Sequence, residues 1–200
     1  MTRIKICGLN RPQDVAYVNQ AKPDWCGFVV NFPKSRRSVT PEALQALRRE
    51  LDPSVVPVGV FVDQPVEVVT DLLNRGIISI AQLHGGEDED YTAALRAAAQ
   101  GKEIWKAFPV RGPADLERAI AFPADRILLD SGQGTGRTFD WSLLRHFPRP
   151  YLLAGGLDPE NLPTAIRTLH PYGVDLSSRG DGRFSDFRKI QAAVAAAREE

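Results

Sequence analysis

The sequence predicts an α/β fold, a single (β/α)8 barrel (TIM barrel) with short loops that occupies residues 1–200. Three observations predict it: eight short apolar runs, segments of helical period between them, and the absence of a linker or low-complexity tract. Because strands and helices alternate, the strands are expected to pair in parallel, in a doubly wound sheet or a closed barrel. Eight units of roughly 25 residues favour closure, and no Gly-x-Gly-x-x-Gly follows the first strand, as a doubly wound sheet would usually have.

The eight candidate strands are rich in Ile, Val, Leu and Phe and lie at 3–7, 25–30, 56–62, 78–83, 103–108, 126–130, 151–154 and 173–176. Capping residues or first-turn prolines mark the expected helix starts. Thr40 is the expected N-cap of the second helix, and Pro41 is its expected first residue. The connection around 141–146 is short, and an Ala-rich segment from about 186 to 198 closes the chain. The other start signals are Asn10 with Pro12, Asp63 with Pro65, Pro113 with Asp115, and Asp158 with Pro159.

Composition and charge exclude several classes of function. The 25 Lys plus Arg balance 25 Asp plus Glu, so the chain has no basic surface typical of binding to nucleic acid or anionic membranes. No apolar stretch is long enough to span a bilayer, and the amino terminus does not read as a signal peptide. Cys7 and Cys26 fit neither a disulfide framework nor a zinc site, and the three histidines are isolated. We expect a cytoplasmic protein with a small-molecule partner and no metal.

The carboxyl ends of the strands are where a (β/α)8 barrel carries its chemistry. From the residues alone, Cys7 could be an inert buried thiol and Asp130 a helix or loop cap. Cys26 lies within an apolar run and is expected in the core, whereas His146 and His170 lie in turn-like contexts and are expected on the surface. Read in order, the strand ends carry Cys7 with Gly8, residues 31–37, Asp63, His84 with Gly85, Phe108, Asp130, Gly155 with Gly156, and Ser177 with Ser178.

Nine segments carry a resemblance to one family, in that family's order and spacing from residue 3 to about 190. They are Lys5-Ile-Cys-Gly8, Gly27-Phe-Val29, Lys34-Ser-Arg-Arg37, Val58-Gly-Val-Phe-Val62, Gln82-Leu-His-Gly85, Leu128-Leu-Asp130, Gly134-Thr-Gly-Arg-Thr-Phe-Asp-Trp141, Ala154-Gly-Gly-Leu-Asp-Pro-Glu-Asn161 and Val174-Asp-Leu-Ser-Ser178. These motifs resemble those of the phosphoribosylanthranilate isomerases, the (β/α)8 enzymes of tryptophan biosynthesis.

The resemblance implies an Amadori rearrangement of N-(5-phosphoribosyl)anthranilate to 1-(2-carboxyphenylamino)-1-deoxyribulose 5-phosphate, with no cofactor. By similarity, Cys7 is the general base and Asp130 is the general acid. The chemistry independently requires such a pair. An acid must protonate the furanose ring oxygen so that the sugar opens to a protonated imine, and a base must then remove the proton from C2.

The substrate carries a phosphate at one end and a carboxylate at the other, so two anion sites are expected. Gly155 and Gly156, just before the Asp158-Pro159 signal, should offer backbone amides at a helix amino end, and Ser177 and Ser178 should add more. By similarity, Arg37 holds the anthranilate carboxylate, which a guanidinium can bind with two parallel hydrogen bonds. His84 joins the expected substrate-binding residues, although it could equally orient a neighbour.

Two short loops depart from the family pattern. After Ser178 the chain reads Arg179-Gly-Asp-Gly182, where relatives have a longer loop, and the loop that begins at Ser131 is also short. We expect the phosphate site to survive, with Arg179 supplying a charge-assisted hydrogen bond in place of amide contacts. The competing interpretation directs Arg179 to solvent or to Asp181, where its charge would contribute little.

Lys5 and Asp175 should share the barrel interior with the site, because each lies two residues before a site residue on its strand. We hypothesise that the two side chains pair between the first and eighth strands, and that the Lys5 ammonium also favours the thiolate of Cys7. The alternative places Lys5 in solvent at the barrel floor.

Two other classes stay open. One is the related histidine-pathway or bifunctional sugar isomerase, which carries aspartates at the ends of strands one and five; here those ends carry Cys7 and Phe108. The other is a non-catalytic barrel that keeps the ligand pocket. The sequence leaves the chain as a monomer or a homodimer.

Overall fold

Eight parallel strands close into a barrel in the computed structural model, which describes residues 1–130, 141–177 and 187–199. This confirms the predicted fold class. A ninth strand of two residues, β3, pairs in parallel with the carboxyl-terminal part of β2. In chain order the strands are β1 Arg3–Cys7, β2 Trp25–Val30, β3 Ser38–Val39, β4 Val56–Phe61, β5 Ile80–Leu83, β6 Glu103–Pro109, β7 Arg126–Asp130, β8 Tyr151–Ala154 and β9 Gly173–Ser177.

The barrel closes because β1 pairs with both β9 and β2. The order of neighbouring strands around the barrel is β1, β2, β4, β5, β6, β7, β8 and β9. Each predicted strand agrees with an observed one to within two residues. The short β3 was not predicted, because two residues give no readable periodicity. The pairing of β1 with β2 ends at Cys7 and Gly27, and β3 pairs with the next part of β2, at Val29 and Val30.

Seven helices cover the outside of the barrel in the described residues. Thr40 caps α2 as predicted, its Oγ1 accepting a hydrogen bond from the Ala43 amide at 3.2 Å. The connection after β7 contains a short 3-10 helix, Trp141–Leu144. No described helix combines the length and apolar character needed to span a membrane. The helices are α1 Pro12–Ala21, α2 Pro41–Arg49, α3 Val66–Asn74, α4 Glu89–Ala98, α5 Pro113–Ala121, α6 Leu162–Leu169 and α7 Phe187–Glu199.

The predicted helix start at Asp158 is wrong. Asp158 Oδ1 accepts hydrogen bonds from the amides of Glu160 at 3.1 Å and Asn161 at 2.9 Å, so it closes a turn. The helix α6 begins only at Leu162. Asp, Asn and Pro are common in turns as well as at helix starts, and the local pattern did not separate the two.

The strands are buried on both faces, which explains why they read as nearly continuous apolar runs. Their outward side chains pack under the helices in the main core, and their inward side chains fill the barrel. The inward set includes an apolar cluster in which Trp25 and Trp105 pack edge to face with ring centroids 5.1 Å apart. Lys5, Gln82 and Asp175 are buried polar residues of these strands, and the site is built around them.

Candidate active site

The predicted site residues that the structure describes gather at the carboxyl ends of the strands. Cys7, Asp130 and Ser177 are the last residues of β1, β7 and β9, and His84 directly follows β5. Gly155 and Gly156 follow β8, and Arg37 lies between β2 and β3. Ser178 and Arg179 lie outside the described residues. The barrel therefore brings seven of the nine predicted residues to one face, three from strand ends and four from the loops that follow β2, β5 and β8.

Cys7 lies above a buried ion pair. Lys5 Nζ is 3.0 Å from Asp175 Oδ1, and neither side chain is more than 8% exposed. The two residues are direct partners in the pairing of β1 with β9. This confirms the predicted pair and excludes the alternative of a solvated Lys5.

The Cys7 thiol, the Lys5 ammonium and the backbone of Gly27 meet at one point. A β-carbon at position 27 would lie 2.7 Å from Cys7 Sγ and 3.0 Å from Lys5 Nζ. Only glycine therefore leaves room on β2 for both side chains. The Gly27 carbonyl also accepts the amide of Gly8 at 2.8 Å, which fixes the chain directly after Cys7.

The pKa of Cys7 reflects opposing influences. Burial raises the pKa of the thiol, and this outweighs the nearby Lys5 and Arg37 cations, which lower it; Asp175 raises it further. The predicted effect of Lys5 on the thiolate thus has the right sign, but the pKa of Cys7 still lies above its ordinary value. Burial also opposes the charged form of Lys5, yet Asp175 and Cys7 raise the pKa of that lysine overall.

Arg37 lies across Gly8, next to Cys7. A β-carbon at position 8 would lie 2.5 Å from Arg37 Cδ and 2.8 Å from its Nη1, and Gly8 has a φ of +97°. Glycine is required there both by the backbone and by the arginine. Arg37 Nη1 is buried and has no hydrogen-bond partner among the residues that the structure describes. A buried guanidinium nitrogen without a partner is a favourable place for an anion.

His84 faces Asp130 across the barrel mouth. His84 Nε2 is 3.9 Å from Asp130 Oδ2, and the two side chains are 38% and 26% exposed. Although the ring reaches solvent, the surrounding protein desolvates it and lowers the pKa of His84, and this outweighs Asp130 and Asp175, which raise it. Gln82 Nε2 lies 3.0 Å from His84 Nδ1 on the other side of the ring.

A second buried ion pair fixes the loop after His84, and it was not predicted. Lys106 Nζ contacts Glu87 Oε2 at 2.9 Å and donates to the Gly85 carbonyl at 2.8 Å. Glu87 in turn accepts the amides of Gly85 and Asp63, both at 2.8 Å. The signal available in the sequence was a lysine in the middle of an apolar strand, because lysine is almost never fully buried unless it is paired.

The segment after β8 is a turn with two left-handed residues, Gly155 with a φ of +88° and Gly156 with a φ of +66°. The Gly156 carbonyl accepts a hydrogen bond from Asn161 Nδ2 at 2.9 Å. Because α6 starts at Leu162, these glycines do not lie at a helix amino end, contrary to our expectation. Ser177 is exposed on the neighbouring β9.

The residues expected outside the site are where the sequence predicted them. Cys26 is fully buried in the main core, and burial raises the pKa of its thiol far above the ordinary value. His146 and His170 are both exposed.

Comparisons with known proteins agree over nearly the whole chain. The sequence model of the family described as N-(5'phosphoribosyl)anthranilate (PRA) isomerase matches residues 4–193. The N-(5'-phosphoribosyl)anthranilate isomerase of Acetivibrio thermocellus is 40% identical over 214 aligned positions, which cover 100% of this chain and 97% of that protein.

Solved structures give the same result. The crystal structure of phosphoribosyl anthranilate isomerase from Thermotoga maritima matches with a TM-score of 0.88 and 34% identity, covering 100% of both chains. A second isomerase crystal structure, in complex with reduced 1-(o-carboxyphenylamino)-1-deoxyribulose 5-phosphate, matches with a TM-score of 0.86 and 34% identity over 100% of both chains.

Proposed function

Because the chain belongs to the family of N-(5'-phosphoribosyl)anthranilate isomerases, we propose that it catalyses their Amadori rearrangement with Cys7 as general base and Asp130 as general acid. The product is 1-(2-carboxyphenylamino)-1-deoxyribulose 5-phosphate, and the reaction is a step of tryptophan biosynthesis. The two groups end different strands, β1 and β7, at the same face of the barrel. That separation suits proton transfer at two different atoms of one substrate.

The reaction divides into two proton transfers. Asp130 gives a proton to the furanose ring oxygen as the C1–O bond breaks, and the nitrogen lone pair forms the C1=N bond of a protonated imine. Cys7 then takes the C2 proton, and the C–H electrons neutralise the imine to give an enolamine that ketonises. The Lys5 ammonium, close to the Cys7 thiol, stabilises the thiolate that must act in the second step.

The guanidinium nitrogen Nη1 of Arg37, beside Cys7, is buried without a partner among the described residues, and this is the observation that carries the proposal. A carboxylate bound there would place the anthranilate ring, and therefore the adjoining C1 and C2 of the sugar, next to the thiol. A bound carboxylate would also satisfy a buried donor that no residue in the described part of the chain pairs with, and an unsatisfied buried donor is costly.

We expect Arg37→Ala to raise KM about tenfold or more, because it removes a charge-assisted hydrogen bond to the substrate carboxylate. Arg37→Lys should recover only part of the loss, since an ammonium cannot form two parallel hydrogen bonds. The measurement is steady-state kinetics, with Arg36→Ala as the matched control, because Arg36 is the exposed neighbour in the same loop. An unchanged KM for Arg37→Ala would contradict the assignment.

The phosphate is assigned to the turn after β8 and the end of β9, with Gly155, Gly156 and Ser177. The positive φ angles of the two glycines allow turn amides to face a bound anion without help from a helix. Ser178 and Arg179 are assigned to the same site on the sequence alone, because they lie outside the described residues.

The raised pKa of Cys7 predicts how the thiol responds to pH. Because burial raises the pKa of Cys7, the thiolate that acts as base is the minor form at neutral pH, so alkylation of Cys7 by iodoacetamide should increase with pH and level off above the ordinary thiol pKa of about 8.5. The rate should be measured in Cys26→Ala, which leaves Cys7 as the only cysteine. If the alkylation rate levelled off at or below about pH 8.5, Lys5 would outweigh burial in determining the pKa of Cys7.

One fluorescence assay tests the activity. Loss of the fluorescence of freshly generated phosphoribosylanthranilate should require the protein, and the histidine-pathway aminoaldose should not be converted. The second expectation rests on Cys7 at the end of β1 and on Phe108 near the end of β6, which runs one residue further than predicted, to Pro109. The enzymes of that pathway carry aspartates at the ends of these two barrel strands. Turnover of the histidine-pathway substrate would favour the bifunctional alternative, and turnover of neither substrate would favour a non-catalytic barrel.

We also propose that residues 1–200 form one catalytic domain that works in the cytoplasm as a monomer or a homodimer. All nine described strands join one sheet, which supports a single domain, and both cysteines are free thiols, which suits a reducing compartment. Analytical ultracentrifugation distinguishes the two oligomeric states, and cell fractionation tests the compartment.

A further inference from the structure

We propose that Gln82 is a positioning residue that keeps His84 as a neutral imidazole with its ring proton on Nε2, the nitrogen that faces Asp130. The tautomer follows from the contacts of the described residues. Its use in catalysis rests on the acid role proposed above for Asp130.

The first step concerns the hydrogen bond between the two side chains. Gln82 is fully buried in the barrel, and its Nε2 lies 3.0 Å from His84 Nδ1. An amide –NH2 group can only donate, so His84 Nδ1 must accept and cannot carry a proton. The single proton of the neutral ring is then on Nε2.

The second step excludes the opposite orientation of the Gln82 amide. Gln82 Oε1 is buried with no hydrogen-bond partner among the described residues. Turning the amide over would put the –NH2 group in that position, and buried donors without partners are rarer than buried carbonyls without them. It would also put the His84 proton on Nδ1, so that Nε2, 3.9 Å from Asp130 Oδ2, could no longer donate a hydrogen bond into the site.

The charges around His84 show what the hydrogen bond contributes. Asp130 on β7 and Asp175 on β9 favour the imidazolium, whereas desolvation, Lys5 on β1 and Lys106 on β6 oppose it and lower the pKa of His84 overall. The hydrogen bond donated by Gln82 also opposes the imidazolium form of His84, because it stabilises only a ring with an unprotonated Nδ1. The ring therefore stays neutral beside two carboxyl groups.

A neutral His84 matters because of what an imidazolium would do to Asp130. A cation within 4 Å favours the carboxylate form of an aspartate, which has no proton to give. The Nε2–H of a neutral His84 can still donate a hydrogen bond into the site while the furanose oxygen of the substrate takes the proton from Asp130. Gln82 thus keeps a donor next to the acid without adding a positive charge.

The test is the 15N NMR spectrum of the imidazole nitrogens in the free enzyme. Their chemical shifts distinguish a ring nitrogen that carries a proton from one that does not. The chain has three histidines, and the spectrum of His84→Asn assigns the signal of interest. We expect a neutral ring protonated on Nε2 at pH 7. A ring protonated on Nδ1, or an imidazolium at pH 7, would overturn the proposal.

Two variants separate positioning from packing. Gln82→Glu presents an acceptor to Nδ1, so it should raise the titration midpoint of His84 by about one pH unit or more and lower kcat about tenfold at neutral pH, with recovery at higher pH. Gln82→Met keeps the volume and removes the hydrogen bond, so the single tautomer should become a mixture. Leu152→Met, another interior change, is the control and should alter neither the tautomer nor the pH profile.

An unchanged His84 tautomer in Gln82→Met would show that the rest of the site determines it, and would also overturn the proposal. The spectra do not depend on turnover. If the wild-type protein showed the expected tautomer but no isomerase activity, the proposed function would fail while the assignment of His84 and Gln82 would stand.

Discussion

Replacing Cys7 by Ala or Ser and Asp130 by Asn should each lower kcat at least about a hundredfold, the usual scale for losing a general base or acid. The two losses arise at different atoms of the substrate, so neither residue can compensate for the other. Cys7→Ser is the more informative change at the base, because it keeps the side-chain volume but provides a hydroxyl that is a much weaker acid than the thiol.

The control for this experiment is the second cysteine. Cys26→Ala removes a fully buried thiol from the neighbouring β2, and it should leave kcat close to the wild-type value. Urea unfolding of each variant shows whether the barrel survives. A folded Cys7→Ala enzyme with near-normal kcat would exclude Cys7 as the base, and the same result for Asp130→Asn would exclude Asp130 as the acid.

The sequence was sufficient to predict the barrel because its strands are buried on both faces. Such strands leave continuous apolar runs that are easy to recognise, and their order determines which ends share a face. This is why Cys7 and Asp130 could be placed together although they lie far apart in the chain. The start of α6 was predicted wrongly because Asp158 and Pro159 fit a turn as well as a helix start.

The parts of the site that depend on contacts between neighbouring strands were harder to predict. The pair Lys5 and Asp175 was found from periodicity, because the first and last strands of a closed barrel must be neighbours. Gln82, Glu87 and Lys106 were missed, although a polar residue inside an apolar strand run was a usable signal for Gln82 and Lys106. The direction of the Cys7 pKa shift was also out of reach, since it depends on the balance between burial and nearby cations.

The largest effect on stability is expected from Lys5→Met. Lys5 is fully buried and Asp175 is only 9% exposed, so the variant leaves a buried carboxylate without its cation. Removing one partner of a buried pair typically lowers the free energy of unfolding by about 3–5 kcal/mol. Urea unfolding measures this loss. Because the Lys5 ammonium stabilises the Cys7 thiolate, Lys5→Met should lower kcat as well.

The double variant Lys5→Met/Asp175→Asn distinguishes lost pairing from lost packing. Without the carboxylate, the uncompensated charge is gone, so the double variant should be more stable than Lys5→Met alone. Lys22→Met is the matched control, because it breaks an ion pair at the surface. The Lys22 side chain is 59% exposed, and its Nζ lies 3.6 Å from Asp52 Oδ2. Such a surface pair contributes less than about 1 kcal/mol to the free energy of unfolding. If Lys5→Met cost no more than Lys22→Met, or if the two changes at the buried pair were additive, the ion pair between Lys5 and Asp175 would not contribute to stability as proposed.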